Sequence, residues 1–314
     1  MPRHFQPFSE FDQWLLNASI KTPRNGFTSA ARFRLLRAVR RLRLMLSDPL
    51  VEFTLDGTNL RLPLSHELPF YRRNLPEYSQ NLGRITFCVK QKYPDLTMLD
   101  VGANIGDSVA IVRACSEHPI LCIEGEERFF QLLAENTKHL EGIELEQAFL
   151  GAEGDRATGI KIEHGNAYLQ MNSSTGKMRL FTLSDVLQHH PRFHNSKLLK
   201  LDAEAFDCRI IECELSLLER CKPVILFEYA PVDSKLIGQD AFPVFSQLGG
   251  IGYALIHIYE NVGRFLQEIP LDQVNSLKEL HDDLVVKHGF CDIVAYHEED
   301  SDIASQVRGA ESGD

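Results

Sequence analysis

The chain has 314 residues, 44% hydrophobic and 25% charged, which is room for one large α/β domain with an appendage and a sizeable core. Its net charge of −11 is uneven: residues 1–47 carry nine Lys/Arg against two Asp/Glu, +7, so the remainder carries −18. That acidic bulk excludes a duplex nucleic acid partner, because phosphate binding rests on basic surface.

No apolar run approaches the roughly 20 residues that span a bilayer. The N-terminus also lacks the basic, apolar, small-residue order of a secretory signal, so a cytoplasmic protein is expected. Seven cysteines, without a C-x-x-C pair, make a poor disulfide or zinc framework. Cys122, Cys208 and Cys213 lie among apolar neighbours, as reduced thiols do.

Residues 1–47 read as helical. Within 32–46, Leu35, Leu36, Val39, Leu42 and Leu46 recur at helical spacing, with Arg34, Arg37, Arg40 and Arg41 on the other side. Such a helix either docks with a solvated arginine face or lies on an anionic membrane surface, giving peripheral membrane contact through 32–46. Residues 51–64 read as a hairpin around Asp56-Gly57, 68–80 as a loop with Pro69 and Pro76, and 82–93 as a helix.

From 97 the pattern changes. Short apolar runs at 98–101, 120–123, 144–149, 198–201 and 224–227 alternate with helical segments at 106–117, 127–139, 183–190 and 207–221. This alternation predicts a mostly parallel sheet covered on both faces. Runs at 253–258, 264–268 and 291–296 complete the sheet at its far edge. Between Gly151 and Thr182 a Gly/Ser/Asn-rich stretch, too long for a plain connection, reads as a β-insert. The division is then an N-terminal helical and hairpin extension over 1–96, a catalytic domain over 97–297, and an acidic disordered tail over 298–314.

Chemistry concentrates at strand ends. In Asp100-Val101-Gly102-Ala103-Asn104-Ile105-Gly106-Asp107 a buried strand enters a two-glycine turn and then a helix. Gly102 admits close approach of a ligand, Gly106 lets the helix pack on the strand, and Asp100 is placed for a cofactor's amino end. The N–H groups at the helix start suit an anionic group. Glu124 ends the second strand, 22 residues after Gly102, where a carboxylate accepts bonds from ribose hydroxyls. NAD and S-adenosylmethionine share that feature, but a dinucleotide turn is G-x-G-x-x-G, and Asn104 replaces its middle glycine. The turn therefore favours S-adenosylmethionine.

Asp202 and Glu204 follow a later strand, and Glu228 ends the next. A carboxylate there could take the proton of an acceptor hydroxyl, or several could hold a divalent cation that acidifies it. Asp202, Glu228 and Glu204 are the candidate catalytic residues; no metal ligands are assigned. Lys200 is expected to pair with an acid, and His257, alone among aliphatics, to be a core histidine.

The ordered set resembles the FkbM family of methyltransferases. It comprises the segments 99–107, Ile123-Glu124, 133–136, Gln147-Ala148, 182–187, 200–204 and 223–228. The resemblance covers roughly 97–260. It implies a Rossmann-like class I methyltransferase fold that transfers a methyl group from S-adenosylmethionine, commonly to a hydroxyl of a sugar or polyketide-type product. By position, Asp100, Gly102, Ala103, Asn104, Gly106 and Asp107 would hold the methionine part. Glu124 would hold the ribose, Gln147 and Ala148 would lie by the adenine, and Asp202 near the methyl. Two departures stand out. Ala205-Phe206-Asp207 follows Glu204 where the family has Gly-Ala-Glu, and Gly125-Glu126 follows Glu124 where a Pro-Asn turn is common. The expected function is O-methylation of a glycan, glycolipid or related small molecule. The alternatives are an NAD-dependent oxidoreductase and an inactive S-adenosylmethionine-binding module.

Overall fold

A computed structural model of the chain describes residues 8–23, 27–163, 165–171 and 176–312. The helical reading of 1–7 and the far end of the tail fall outside these. Helices α1 (Glu10–Lys21) and α2 (Phe27–Leu46) come first. Ser9 caps α1 by accepting the Asp12 N–H, and Asp12 receives the Arg43 guanidinium of α2 at 2.8 Å. The faces of α2 divide differently from expectation: Leu36 is buried, whereas Leu35, Leu42 and Leu46 are exposed. The packed seam instead runs through Arg40 and Arg43, neutralised by Glu67 and Asp12. A paired arginine covers apolar surface with its stem, so charge type alone mis-assigned the face.

The hairpin β1 (Leu50–Leu55) and β2 (Thr58–Pro63) turns at Asp56 and Gly57, with φ of 45° and 89°. Residues expected as loop form α3 (Leu68–Asn74), because Pro69 lies in the first turn, where its missing N–H costs nothing. After α4 (Gln80–Lys92) comes the strand–helix alternation: β3 (Met98–Val101), α5 (Asp107–Arg113), β4 (Ile120–Ile123), α6 (Glu127–Thr137) and β5 (Ile143–Glu146). The insert is a small sheet of β6 (Arg156–Glu163), β7 (Asn166–Met171) and β8 (Met178–Arg179). Residues 172–175 of that stretch lie outside the described residues.

The chain continues through α7 (Leu183–Leu187), β9 (Leu198–Leu201), α8 (Asp207–Cys213) and α9 (Leu215–Cys221). The single helix expected over 207–221 breaks at Glu214, whose carboxylate binds Ser184 of α7. Then follow β10 (Val224–Tyr229), α10 (Pro231–Leu236), α11 (Val244–Gly250), β11 (Tyr253–Tyr259), β12 (Phe265–Pro270), α12 (Val274–Lys287), β13 (Cys291–His297) and α13 (Ser301–Ser312).

Through Ser312 the tail is helical, not disordered as expected. Ile303, Ala304 and Val307 of α13 are fully buried, and Glu311 pairs with Arg84 of α4 at 2.8 Å. These three apolar side chains form one stripe that docks a helix otherwise mostly polar. All seven cysteines are free, and Cys213 is exposed, not apolar-packed.

The main sheet has eight strands in the order β12-β11-β13-β10-β9-β3-β4-β5. Strands β5, β4, β3, β9 and β10 are parallel, and β13, β11 and β12 close the edge antiparallel. One core cluster holds Leu99, Leu121, Leu199 and Ile225 with α8, α9 and α11. The other joins Met98, Ile120, Leu198 and Val224 to Leu15, Leu55, Leu62 and Ile85 of the extension. Successive strand residues face opposite ways, so the extension covers one face of the sheet together with α5, α6 and α13. Chain direction reverses its order beside β3, with β4 on one side and β9 on the other. An open α/β sheet opens its ligand crevice at such a switch point, beyond the carboxyl ends of the strands.

Candidate active site

A cleft of about 460 Å³ lies there. At one end stands Glu124, just past β4. Its Oε2 accepts the Asn104 N–H at 2.9 Å and its Oε1 the Glu126 N–H at 2.7 Å. Burial raises its pKa to about 7, although those two N–H bonds pull the other way. Each carboxylate oxygen retains acceptor capacity toward the cleft.

The turn after β3 is sewn to its neighbours: Gly102 N–H donates to Ile123 O at 2.9 Å, and Asp202 N–H to Val101 O at 3.1 Å. A Cβ on Gly102 would lie 1.9 Å from Asp202 O, so the position tolerates no side chain. The sequence pattern places this glycine for ligand approach. The structure adds a tighter constraint from β9. Asn104 has φ of 47°, and its amide donates to Gly165 O at 2.8 Å while its Oδ1 faces His66 Nε2 at 3.4 Å. One side chain therefore joins the cofactor loop to the insert and the extension. Burial lowers the His66 pKa to about 4, so the ring is neutral and donates from Nε2.

Of the residues expected to bind cofactor, Gly102, Asn104, Asp107, Glu124 and Ala148 line the cleft. Asp100, Ala103 and Gly106 stand behind it. Asp100 is fully buried, accepts the Ser108 hydroxyl, and meets Lys200 Nζ at 3.2 Å. Ala103 is buried, and a Cβ on Gly106, φ 89°, would meet Leu133 at 3.1 Å. Gln147, expected by the adenine, is exposed and is not among the residues lining the cleft. It follows the end of β5, and Ala148 and Phe149 turn inward instead. The Phe149 ring rests on Gly125, where an added Cβ would be 2.3 Å from it. That contact accounts for glycine in place of the usual proline.

The other end of the cleft is lined with acids. Asp202 is half-exposed, 3.5 Å from Lys200 Nζ. Glu204 has a pKa raised to about 8 by burial and by Asp202 and Asp207. Glu228 is pushed well above the carboxylate range by burial, with Asp202 and Asp207 adding to it. Sequence reasoning missed Asp292 of β13, which pairs in register with Glu228 on the adjacent strand and whose pKa burial raises to about 7. A lone acid in the apolar strand 291–297 was the available signal. Tyr71, Tyr78 and Tyr168 complete this end. Lys200 holds its proton firmly between Asp100, Asp202 and Asp107.

Among the described residues no three His, Cys, Asp or Glu converge closely enough to hold a metal ion, and the divalent-cation route gains no support. His257 is buried and binds Glu268 at 2.9 Å on the far side of β11, as a core histidine would.

The glutamate at the end of β4 fits a nucleoside's hydroxyls, and the tight turn after β3 has no dinucleotide glycine pattern. With the doubly covered, mostly parallel sheet, these features define the class I S-adenosylmethionine-dependent methyltransferase fold. Residues 100–248 match the model of the methyltransferase FkbM domain, and the chain carries a domain of that S-adenosylmethionine-dependent family.

No curated protein matches the chain. Among solved structures, a precorrin-6y C5,15-methyltransferase from Geobacter metallireducens is similar at 12% identity, over 65% of this chain and 80% of that one, TM-score 0.35. A methyltransferase FkbM from Methylobacillus flagellatus is 15% identical over 43% and 32%, TM-score 0.28. An O-methyltransferase from Bacillus cereus in complex with SAH is 13% identical over 72% and 85%, TM-score 0.38.

Proposed function

We propose that this methyltransferase methylates a hydroxyl oxygen on a glycan, glycolipid or related small molecule. The observation that carries the reading is one continuous cleft with two different ends. Around Glu124, Ala148 and Phe149 it suits a nucleoside; around Asp202, Glu204, Glu228 and Asp292 it suits a polyol.

S-adenosylmethionine, when bound, supplies an electrophilic methyl carbon. Glu124 would hold its ribose, Gly102 and Asn104 its methionine part, and Phe149 its base. The chain's own acids then handle the acceptor. Asp202, at the end of β9 beside the Lys200 ammonium, is the group to take the hydroxyl proton as the oxygen attacks. With its pKa raised to about 8, Glu204 is largely protonated near neutrality and can donate to a neighbouring acceptor oxygen, and burial pushes Glu228 in the same direction. Tyr71, Tyr78 and Tyr168 offer apolar ring faces and hydroxyls, which suit a sugar. A crowd of carboxyls disfavours an anionic group at the methylated carbon. Among the described residues no helix is long and apolar enough to cross a membrane, and a cytoplasmic site of action goes with this reading.

Calorimetry with S-adenosylmethionine and with NAD, followed by transfer of a labelled methyl group to neutral oligosaccharides, tests it. Cofactor binding with label in an alkali-stable ether is expected. Binding of NAD instead would restore the oxidoreductase alternative, and cofactor binding without transfer to any hydroxyl would favour an inactive binding module.

A further inference from the structure

The N-terminal layer holds a surface that the methyl-transfer site does not use. Helix α2 carries six arginines and no acid. The structure sorts them. Arg40 is committed to Glu67 and the Leu64 carbonyl, and Arg43 to Asp12. Arg32, Arg34, Arg37 and Arg41 are exposed and have no ion-pair partner among the described residues. Interleaved with them, Leu35, Leu42, Met45 and Leu46 are 62–78% exposed. The adjoining α1 adds an exposed, stacked Phe11 and Trp14, with centroids 5.9 Å apart.

A free basic row and a free apolar row on one helix is what an interfacial helix presents, apolar side chains entering the acyl boundary and guanidinium groups meeting headgroup phosphates. We infer that the outer face of α2 is a docking surface for an anionic lipid bilayer. Charge complementarity selects this occupant. A second copy of the chain, whose net charge outside residues 1–47 is −18, could offer acids but no reason for the leucine row. A polyanionic RNA could use the arginines but not Leu35, Leu42, Met45 and Leu46. The position also has a consequence. Arg40 of α2 lies over the Phe70 ring of α3 at 4.4 Å, and Tyr71 and Leu75, from α3 and its end, line the cleft. A bilayer held by α2 would thus be one helix away from the cleft wall. The docking itself does not depend on the acceptor proposed above.

Sedimentation of the full chain with phosphatidylcholine vesicles, with and without phosphatidylglycerol, tests the inference. Binding is expected only with phosphatidylglycerol and should weaken as salt rises. Each arginine near such a surface contributes a factor of about five, so the double variant Arg34→Gln/Arg41→Gln should partition roughly 25-fold more weakly. Leu42→Asp should also weaken it. Both sets of substitutions lie on exposed positions, and far-UV circular dichroism verifies their folding. No binding to phosphatidylglycerol vesicles, or binding unaltered in both variants, would overturn the inference. So would a concentration-dependent dimer dissolved by Leu42→Asp, or homopolymer RNA binding without vesicle binding.

Discussion

Gly102→Ala and Gly57→Ala together measure how far the turn after β3 depends on close backbone approach. Both glycines have positive φ, 73° and 89°, so alanine at either costs about 1–2 kcal/mol of left-handed strain. There the likeness ends. A Cβ at Gly57 meets nothing within 4 Å, whereas at Gly102 it falls 1.9 Å from Asp202 O and 2.7 Å from Asp202 C. Carbon atoms need roughly 3.5 Å, so β3 and β9 must part by more than an ångström at this point. Parting strains or breaks the Asp202 N–H to Val101 O bond, about 1 kcal/mol, and disturbs packing for roughly 1–3 kcal/mol more. Gly102→Ala should therefore cost about 3–6 kcal/mol and Gly57→Ala about 1–2 kcal/mol, read from urea midpoints at constant slope. Because Asp202 moves with the strand end, Gly102→Ala should also lower affinity for S-adenosylmethionine, which Gly57→Ala leaves alone. Equal costs at the two sites would refute the close-approach argument.

At the other departure from the family pattern, Ala205 has φ of 80°, so Ala205→Gly should raise stability by about 0.5–1 kcal/mol after the entropy glycine loses on folding. A lower melting temperature would count against strain there. Glu124→Ala should weaken S-adenosylmethionine binding by about 1.5–3 kcal/mol in calorimetry, the size of a charge-assisted contact. Asp202→Asn should keep cofactor affinity within a few-fold and depress turnover; unchanged turnover removes Asp202 from the chemistry. The folded-state pKa values of Asp107 (about 6), Glu124, Asp207 and Asp292 (about 7) and Glu204 (about 8) are all raised. Their stabilising contribution is complete below the ordinary carboxylate range and lost as pH climbs through 6–8. His66 and His118, lowered to about 4, contribute stability that is lost as pH falls below 6.5. Melting curves are expected to show stability falling between about pH 5 and 8, the five raised acids outweighing the two lowered histidines; a profile flat over that range would contradict the desolvation of these acids.

The strand–helix alternation, the turn at Gly102 and the acid at 124 were legible because each is a local pattern with a fixed spacing. The order of β13 between β10 and β11 was not, since antiparallel edge pairing leaves no mark on short apolar runs. Asp292 went unseen for the same reason: its meaning depends on lying beside Glu228, 64 positions earlier. The extension's part in the cleft was hidden too. Nothing around His66 or Tyr78 signals which distant element they will face. In α2 the period was plain but the buried face was not, because Glu67 and Asp12, on other elements, decide which arginines turn inward.

Backbone strain offers a further route to the site, independent of motif. Seven described non-glycine residues have positive φ: Asp56, Ser79, Asn104, Glu204, Ala205, Lys222 and His288. Lys222 and His288 follow helices as left-handed caps, and Asp56 occupies a hairpin turn, where such angles are ordinary. The remaining four gather at the cleft: Ser79, Asn104 and Glu204 line it, and Ala205 is bonded to Glu204. Unlike the others, Asn104, Glu204 and Ala205 serve no cap or hairpin, while Ser79 stands at the N-cap of α4 without a side-chain cap bond. A fold keeps strained residues only where surrounding contacts over-determine them. At Asn104 those contacts are visible, with Glu124, Gly165 and His66 each taking one polar group. At Glu204 and Ala205 the strain coincides with a half-buried carboxyl whose pKa is raised to about 8. Glu204 lines the cleft there, with Asp202 and Asp207 raising its pKa. The acid-lined end of the cleft is thus where backbone and charge are both held in unfavourable states.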